Sequence, residues 1–336
     1  MRIFLFIVFT WGCLSGETAN AQNNFRVMFY NVENLFDCTH DSLKNDREFL
    51  PESVRGWNYK RYKQKINSIA KVICAAGEWE LPDLIGLCEV ENEKVVNDLT
   101  NHSPLKEQGY RFVMTDSPDE RGIDVALLYQ RGSFKLLNHR SIRIDLPNRK
   151  PTRDILHVTG IIANGDTLDV FVVHLPSRSG GEKESEPARL AVASKLKTCA
   201  DSLFRARRNP NLIITGDFND YPYNRSVCNV LNANFPARTV EPLGLYNLMA
   251  GKKGGTYKYQ GEWGILDQFI VSGTLLIPHK GLTISANNVS ICQFPFLLEA
   301  DEKYGGKQPF RTYYGFKYIG GFSDHLPIIG KFEWID

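Results

Sequence analysis

Net charge is nearly absent from this chain. Its 40 Lys and Arg face 38 Asp and Glu, leaving +2 over 336 residues. Bulk charge therefore supplies no argument for a nucleic-acid partner. Cysteine is sparse, seven in all, and no two form a CxxC pair. That spacing argues against a zinc ribbon or a thioredoxin-type motif. Beyond the N-terminus no stretch approaches the roughly 18 consecutive apolar residues that a spanning helix needs, so no membrane span is expected. Internal repeats, low-complexity tracts and a dividing linker are missing as well. With 43% hydrophobic and 23% charged residues, the composition is that of a soluble globular chain able to build a core without disulfide staples.

What is present starts with a targeting segment, residues 1–21. Arg2 supplies a positive charge, Ile3 to Trp11 is an apolar run too short for a bilayer, and Ala19-Asn20-Ala21 is a small-x-small cleavage site before Gln22. The mature protein is expected to begin at Gln22, to be exported to the periplasm or the exterior, and to form one domain over 22–336. A lipid anchor through Cys13 is the alternative, but Thr10 and Trp11 are poor residues before such a cysteine. Export permits disulfides among Cys38, Cys74, Cys88, Cys199, Cys228 and Cys292; the spacing assigns none.

Most of the strands expected from apolar, β-branched runs end in polar groups. Phe25 to Tyr30 ends at Asn31, Asp83 to Cys88 at Glu89, Leu168 to Val173 at His174, and Asn211 to Thr215 at Gly216-Asp217-Phe218-Asn219. Further polar positions are Asp124 at the start of a strand, Asp267 within Trp263 to Val271, and Asp324-His325 before Ile328 to Trp334. Helical spacing marks Asn58 to Ala76, Asn92 to Leu99 and Glu186 to Arg207, with Arg178 to Pro187 read as a loop. Strands in runs with few helices between them favour two packed sheets over a strictly alternating parallel fold. Asp37 to Trp57 reads as a solvated loop; its Asp41 and Asp46 suggest calcium, but the spacing fits no standard calcium loop.

At the strand ends, Gly216 is read as permitting a sharp turn, and Asp217 and Asn219 as projecting together from an extended end. A solvated turn is the ordinary reading of Asp and Asn there. Several such ends in one chain point instead to a shared cleft. Glu89 with Asn31 suits a hard divalent cation such as Mg²⁺, which takes one or two carboxylates, water and phosphate oxygens. An imidazole at His325, steadied by Asp267 or Asp324, can donate to a phosphate near neutral pH.

The ordered set resembles the endonuclease/exonuclease/phosphatase superfamily, which includes deoxyribonuclease I, abasic-site nucleases, inositol-polyphosphate phosphatases and sphingomyelinases. The matching pieces are Tyr30-Asn31-Val32-Glu33-Asn34, Gly86-Leu87-Cys88-Glu89-Val90, Asp124-Val125-Ala126-Leu127-Leu128, Val173-His174-Leu175-Pro176-Ser177-Arg178, Gly216-Asp217-Phe218-Asn219, Leu266-Asp267-Gln268-Phe269 and Ser323-Asp324-His325. The resemblance covers about residues 25 to 333, and the opening run from Tyr30 to Asp37 together with Ser117-Pro118-Asp119-Glu120-Arg121-Gly122-Ile123-Asp124 looks like an exported bacterial branch. It implies an α/β four-layer αββα sandwich, deoxyribonuclease I-like, with two mainly antiparallel sheets and helices outside. It also implies divalent-metal hydrolysis of a phosphoester, with Mg²⁺ (Mn²⁺ or Ca²⁺ as alternatives) held by Asn31, Glu89 and Asp324. By the same resemblance Asp217 would handle the attacking water, and Asn219, His174 and Arg153 would face phosphate. His325, positioned by Asp267, would donate to the phosphoryl group. Asp124 falls where relatives often carry an uncharged residue.

The expected activity is therefore a secreted endonuclease, acting as a monomer on nucleic acid. Within enzymes the alternative is a phosphatase or phospholipase-type diesterase of the inositol-phosphate or sphingomyelinase kind. A non-catalytic exported binding module is the alternative of another class. The stretch Phe294 to Gly321, where Phe310, Tyr313, Tyr314, Phe316 and Tyr318 alternate with Lys307, Arg311 and Lys317, suits single strands or serves as cover over a sheet.

Overall fold

Strands buried on both faces set the architecture, which a computed structural model describes for residues 24–146, 149–236 and 239–335. The expected targeting segment, with Cys13, lies outside the described residues. Along Asn24–Leu35 nearly every side chain is buried. Alternation sends Phe25, Val27 and Phe29 to one apolar cluster and Met28 and Tyr30 to another. A strand covered on both sides reads as a continuous apolar run, not an alternating one.

Two seven-stranded sheets result. In the first, Ile328–Ile335 and Leu84–Val90 flank Asn24–Leu35, and Asp124–Tyr129 pairs beyond Leu84–Val90. In the second, the order runs from Phe134–Ile142 through Ile155–Ile162, Thr167–His174, Asn211–Asp217 and Asp267–Ser272 to Leu245–Asn247 and Ala233–Asn234. Phe29, Leu127, Val172 and Phe269 belong to the core between the sheets. The helices Tyr59–Gly77 and Glu93–Asn101 cover the outer face of the first sheet, and Glu182–Ala206 covers that of the second. This is the expected αββα sandwich.

Pairing is mainly antiparallel, with parallel exceptions. Asn24–Leu35 runs parallel to Leu84–Val90, and Thr167–His174 parallel to Asn211–Asp217. In each case a long helix, Tyr59–Gly77 or Glu182–Ala206, lies between the two strands in sequence, as a crossover connection requires. Both of these pairs carry site residues toward their C-terminal ends; a third, short parallel pair, Ala233–Asn234 with Leu245–Asn247, lies at the sheet edge away from them.

Three local expectations are corrected. The third long helix begins at Glu182, within the segment read as a loop, and contains Pro187. Ser185 Oγ donates to Gly181 O, and Arg189 to Glu182 O, which satisfies carbonyls near the proline. The segment 37–57 is not simply solvated: Phe49 stacks on Phe36 at 4.2 Å, Trp57 is buried, and Asp46 accepts from Asp41 N–H at 2.7 Å. Finally, Gly216 makes no turn. It lies inside the paired strand, and a Cβ there would collide with the Val173 carbonyl oxygen of the parallel neighbour. All six described cysteines are free thiols.

Candidate active site

Strand register brings three of the expected residues into one row. His174 lies opposite Asp217, and Asp217 opposite Asp267, across adjacent strands of the second sheet. From the first sheet, Asn31 and Glu89 come from the ends of a parallel pair in which Asn31 lies opposite Cys88. That pair then loses register. Glu33, Asn34 and Glu89 adopt φ of 51°, 56° and 61°, and Asn219 adopts 49°. Left-handed non-glycine residues cost on the order of 1 kcal/mol each and collect where side chains must be re-aimed. At Glu89 the irregularity is a bulge between Cys88 and Val90 opposite the Asp124 strand, which turns the carboxylate out of the normal alternation.

Asp217 is the hub. Its Oδ2 accepts from Asn31 Nδ2 at 3.0 Å and lies 3.6 Å from His174 Nε2 and 3.7 Å from His325 Nε2. Its Oδ1 accepts the Asn219 N–H at 2.8 Å, an Asx-turn that replaces the extended projection expected for Asn219. Asn219 Nδ2 donates to Leu175 O at 3.1 Å. His325 Nδ1 is 2.7 Å from Asp267 Oδ2. The loop carrying His325 is tied down by Ser323, whose Oγ donates to Asn31 O at 2.7 Å and accepts from His325 N–H at 3.1 Å. The Tyr257 ring covers His325 at 4.9 Å between centroids. Glu89 accepts the Asn34 N–H at 3.0 Å and reaches 4.0 Å from His174 Nε2.

These contacts divide the protons. Burial pushes Asp217 up to about 7, with the His325 charge opposing and Asp267 reinforcing the rise. Burial works against a charged His325, but Asp267 and Asp217 outweigh it and hold the imidazole well above its ordinary value. Burial, with the Arg153 and Arg121 charges, drives His174 well below the ordinary range. Hence one imidazole holds a proton firmly and the other is neutral.

The donor set fits a hard divalent cation. His174 Nδ1 and Asp267 Oδ1 are buried with no hydrogen-bond partner among the described residues. Ligand atoms of Cys88, His174 and Asp217 lie within 4.8 Å of one another, as do those of Asp217, Asp267 and His325. Burial holds the Cys88 thiol well above its usual value, which disfavours a thiolate there. The remaining donors are the His174 and His325 imidazoles and the carboxylates of Asp217 and Asp267, beside which Glu89 and Asn31, outside both groups, add further oxygens; oxygen predominates, the chemistry of Mg²⁺ more than of zinc.

Three expected residues sit apart. Asp324 is 3.9 Å from Arg311 and belongs to neither ligand group. Arg153 is buried, and its guanidinium is engaged by Asp119 at 3.2 Å and by the carbonyls of His174 and Leu175. It braces the His174 loop where a free phosphate clamp was expected. Asp124 accepts from Thr115 Oγ1 at 2.5 Å and from Ser117 N–H at 3.0 Å, a buried brace. Two residues at the site were given no role from the sequence: Tyr257, and Arg121, whose Nη2 lies 3.7 Å from Glu89. Only long-range contacts place them there.

A back-to-back sandwich whose two sheets share one polar floor is the deoxyribonuclease I-like architecture, a class built around phosphoester hydrolysis. The chain belongs to the endonuclease/exonuclease/phosphatase family, whose model matches residues 26–333. Among solved structures, an endonuclease/exonuclease/phosphatase family protein from Bacteroides thetaiotaomicron is similar at 16% identity, covering 93% of this chain and 98% of that one, with TM-score 0.60. A mannosyl-6-phosphatase from the same organism gives 18% identity, 93% and 100% coverage, and TM-score 0.57. D. rerio TDP2 complexed with single strand DNA product gives 16%, 92% and 98%, and TM-score 0.52. None of the curated proteins is significantly similar in sequence.

Proposed function

We infer that this protein is an exported, Mg²⁺-dependent phosphodiesterase that cleaves nucleic acid by direct attack of water. One observation carries this reading: Asp217 Oδ2 stands 3.6–3.7 Å from the Nε2 atoms of two buried imidazoles, one of them oriented by Asp267 at 2.7 Å. A carboxylate whose burial has brought it near neutrality is suited to take a proton from water. Beside it, the Asp267-oriented His325 donates Nε2–H to a phosphoryl oxygen as charge builds there. His174 and the Asn219 side chain orient the remaining oxygens. Glu89 and Asn31 would hold a divalent cation, which when bound would supply charge neutralisation to the phosphoryl group. No side chain needs to form a covalent bond to phosphorus.

A sugar-phosphate monoesterase is the second reading, favoured by the mannosyl-6-phosphatase likeness. Plasmid DNA, single-stranded DNA, RNA and sugar monophosphates, each with and without EDTA, separate the two. EDTA-sensitive cleavage of nucleic acid is the expected result, and turnover confined to monoesters would overturn it. Export rests on residues 1–21; N-terminal sequencing of the exported protein should begin at Gln22, and finding it retained with Met1 would refute export.

A further inference from the structure

Beside His325 lies a cavity of about 610 Å³ that the catalytic chemistry above does not use. It begins at Tyr257, which covers the His325 ring and makes a backbone bridge to the same residue. It continues past Arg311, 3.9 Å from Asp324, to a rim of Tyr259, Tyr304 and Tyr314. These three rings are 62%, 47% and 56% exposed, far more than a structural tyrosine needs.

The wall behind them is rigid. Lys258 is buried and bonded to Asp301 at 2.7 Å and to Gly305 O at 2.8 Å. Arg311 is fixed from both sides. Phe310 N–H donates to Leu297 O at 2.8 Å, and Thr312 N–H to Glu33 Oε2 at 2.7 Å. The buried Lys65 ties Thr312 Oγ1 at 2.5 Å and Phe322 O at 2.6 Å to the Tyr59–Gly77 helix. The aromatic segment is thus anchored at Glu33, two residues from Asn31. Lys258 and Asp301 neutralise each other, and Lys303, Arg311 and Lys317 face the carboxylates Glu299 and Glu302, so the remaining lining carries one net positive charge, with Arg311 also 3.9 Å from Asp324. Lys303 Nζ already lies 4.9 Å over the Tyr304 ring.

We propose that this cavity is the subsite for a nucleobase-bearing group next to the scissile phosphate of a single strand. The inference rests on the phosphodiesterase reading and adds the substrate's form to it. Exposed aromatic faces beside cations stack bases of any identity while meeting the flanking phosphates. A lone sugar phosphate has no further phosphate for the outer lysines. The Glu299 carboxylate, with Gln308 donating to it at 3.1 Å, offers an acceptor to base edges.

Equilibrium binding of a labelled oligothymidylate, measured in EDTA so that no turnover occurs, tests the subsite. The variants are Tyr304→Ala, Tyr314→Ala and Arg311→Gln; the two tyrosines are surface positions, and thermal melts check that all three fold. Each substitution should weaken binding by about tenfold. Wild-type affinity in all three folded variants would overturn the proposal, as would displacement of the oligonucleotide by a sugar monophosphate as readily as by a nucleotide. The substrate panel fails independently. Absent turnover with intact, variant-sensitive binding removes the hydrolase reading and supports the subsite. Cleavage of single strands with binding untouched by the variants removes the subsite and supports the hydrolase.

Discussion

On the proposed reading Asp217 and His325 carry the chemistry. Asp217→Asn keeps shape and removes the base, while His325→Gln removes the donor to phosphate. Each should lower kcat/KM by about 10³-fold or more in protein that thermal melts show to be folded; residual activity close to wild type in either would refute its role. Asp124 is the opposite case, structural and titrating. Burial raises its pKa to about 6, against hydrogen bonds from Ser117 and Thr115 that lower it. A raised carboxylate pKa gives stability that is fully present below the unfolded value and is lost as pH rises through the folded one. The contribution is on the order of 3 kcal/mol, lost between about pH 4 and 6. Asp124→Asn should therefore flatten the stability profile across that window, as read by urea unfolding; an unchanged slope would contradict it. At this scale the sequence exposed Asn31, Glu89, His174, Asp217, Asp267 and His325, because each terminates, begins or immediately precedes an apolar strand. It could not expose Tyr257 or Arg121, which only tertiary packing brings near His325 and Glu89. It also gave Arg153 a role that its buried hydrogen bonds do not leave free.

At the scale of elements, Gly216 is the sharpest case. A glycine after an apolar run reads as a turn, yet this one lies in a strand because the parallel neighbour's Val173 carbonyl leaves no room for a Cβ. Gly216→Ala should destabilise the protein by about 2 kcal/mol or more through forced separation of the two strands that present His174 and Asp217. Denaturant unfolding reads it, and wild-type stability would show that the strands yield freely. The buried strands were legible because their apolar runs are continuous. Phe134–Ile142 was not, since it is an edge strand with five consecutive exposed residues, Asn138 to Arg140 flanked by Leu137 and Ser141, and no alternation to detect. The start of the Glu182–Ala206 helix was hidden by Pro187, which marks a break in isolation but is accommodated near the N-terminus by Ser185 and Arg189.

Across the whole molecule, two sheets meet so that strand ends from both contribute to one floor, and the aromatic segment 294–321 is anchored to that floor through Glu33 and Lys65. The layered class followed from runs of strands with few helices. The two long parallel pairs, each joined through a crossover helix, were what the strand pattern alone did not separate. The central claim is that this floor hydrolyses phosphodiesters only with a divalent cation held at Glu89 and Asn31. Its most direct test is to strip the mature protein with EDTA and restore Mg²⁺ stepwise while following cleavage of single-stranded DNA, with Glu89→Gln in parallel. Activity should be absent after stripping, return saturably in wild type, and require far more Mg²⁺ or fail to return in the variant. Undiminished cleavage in EDTA, or identical Mg²⁺ curves for the two proteins, would contradict the claim.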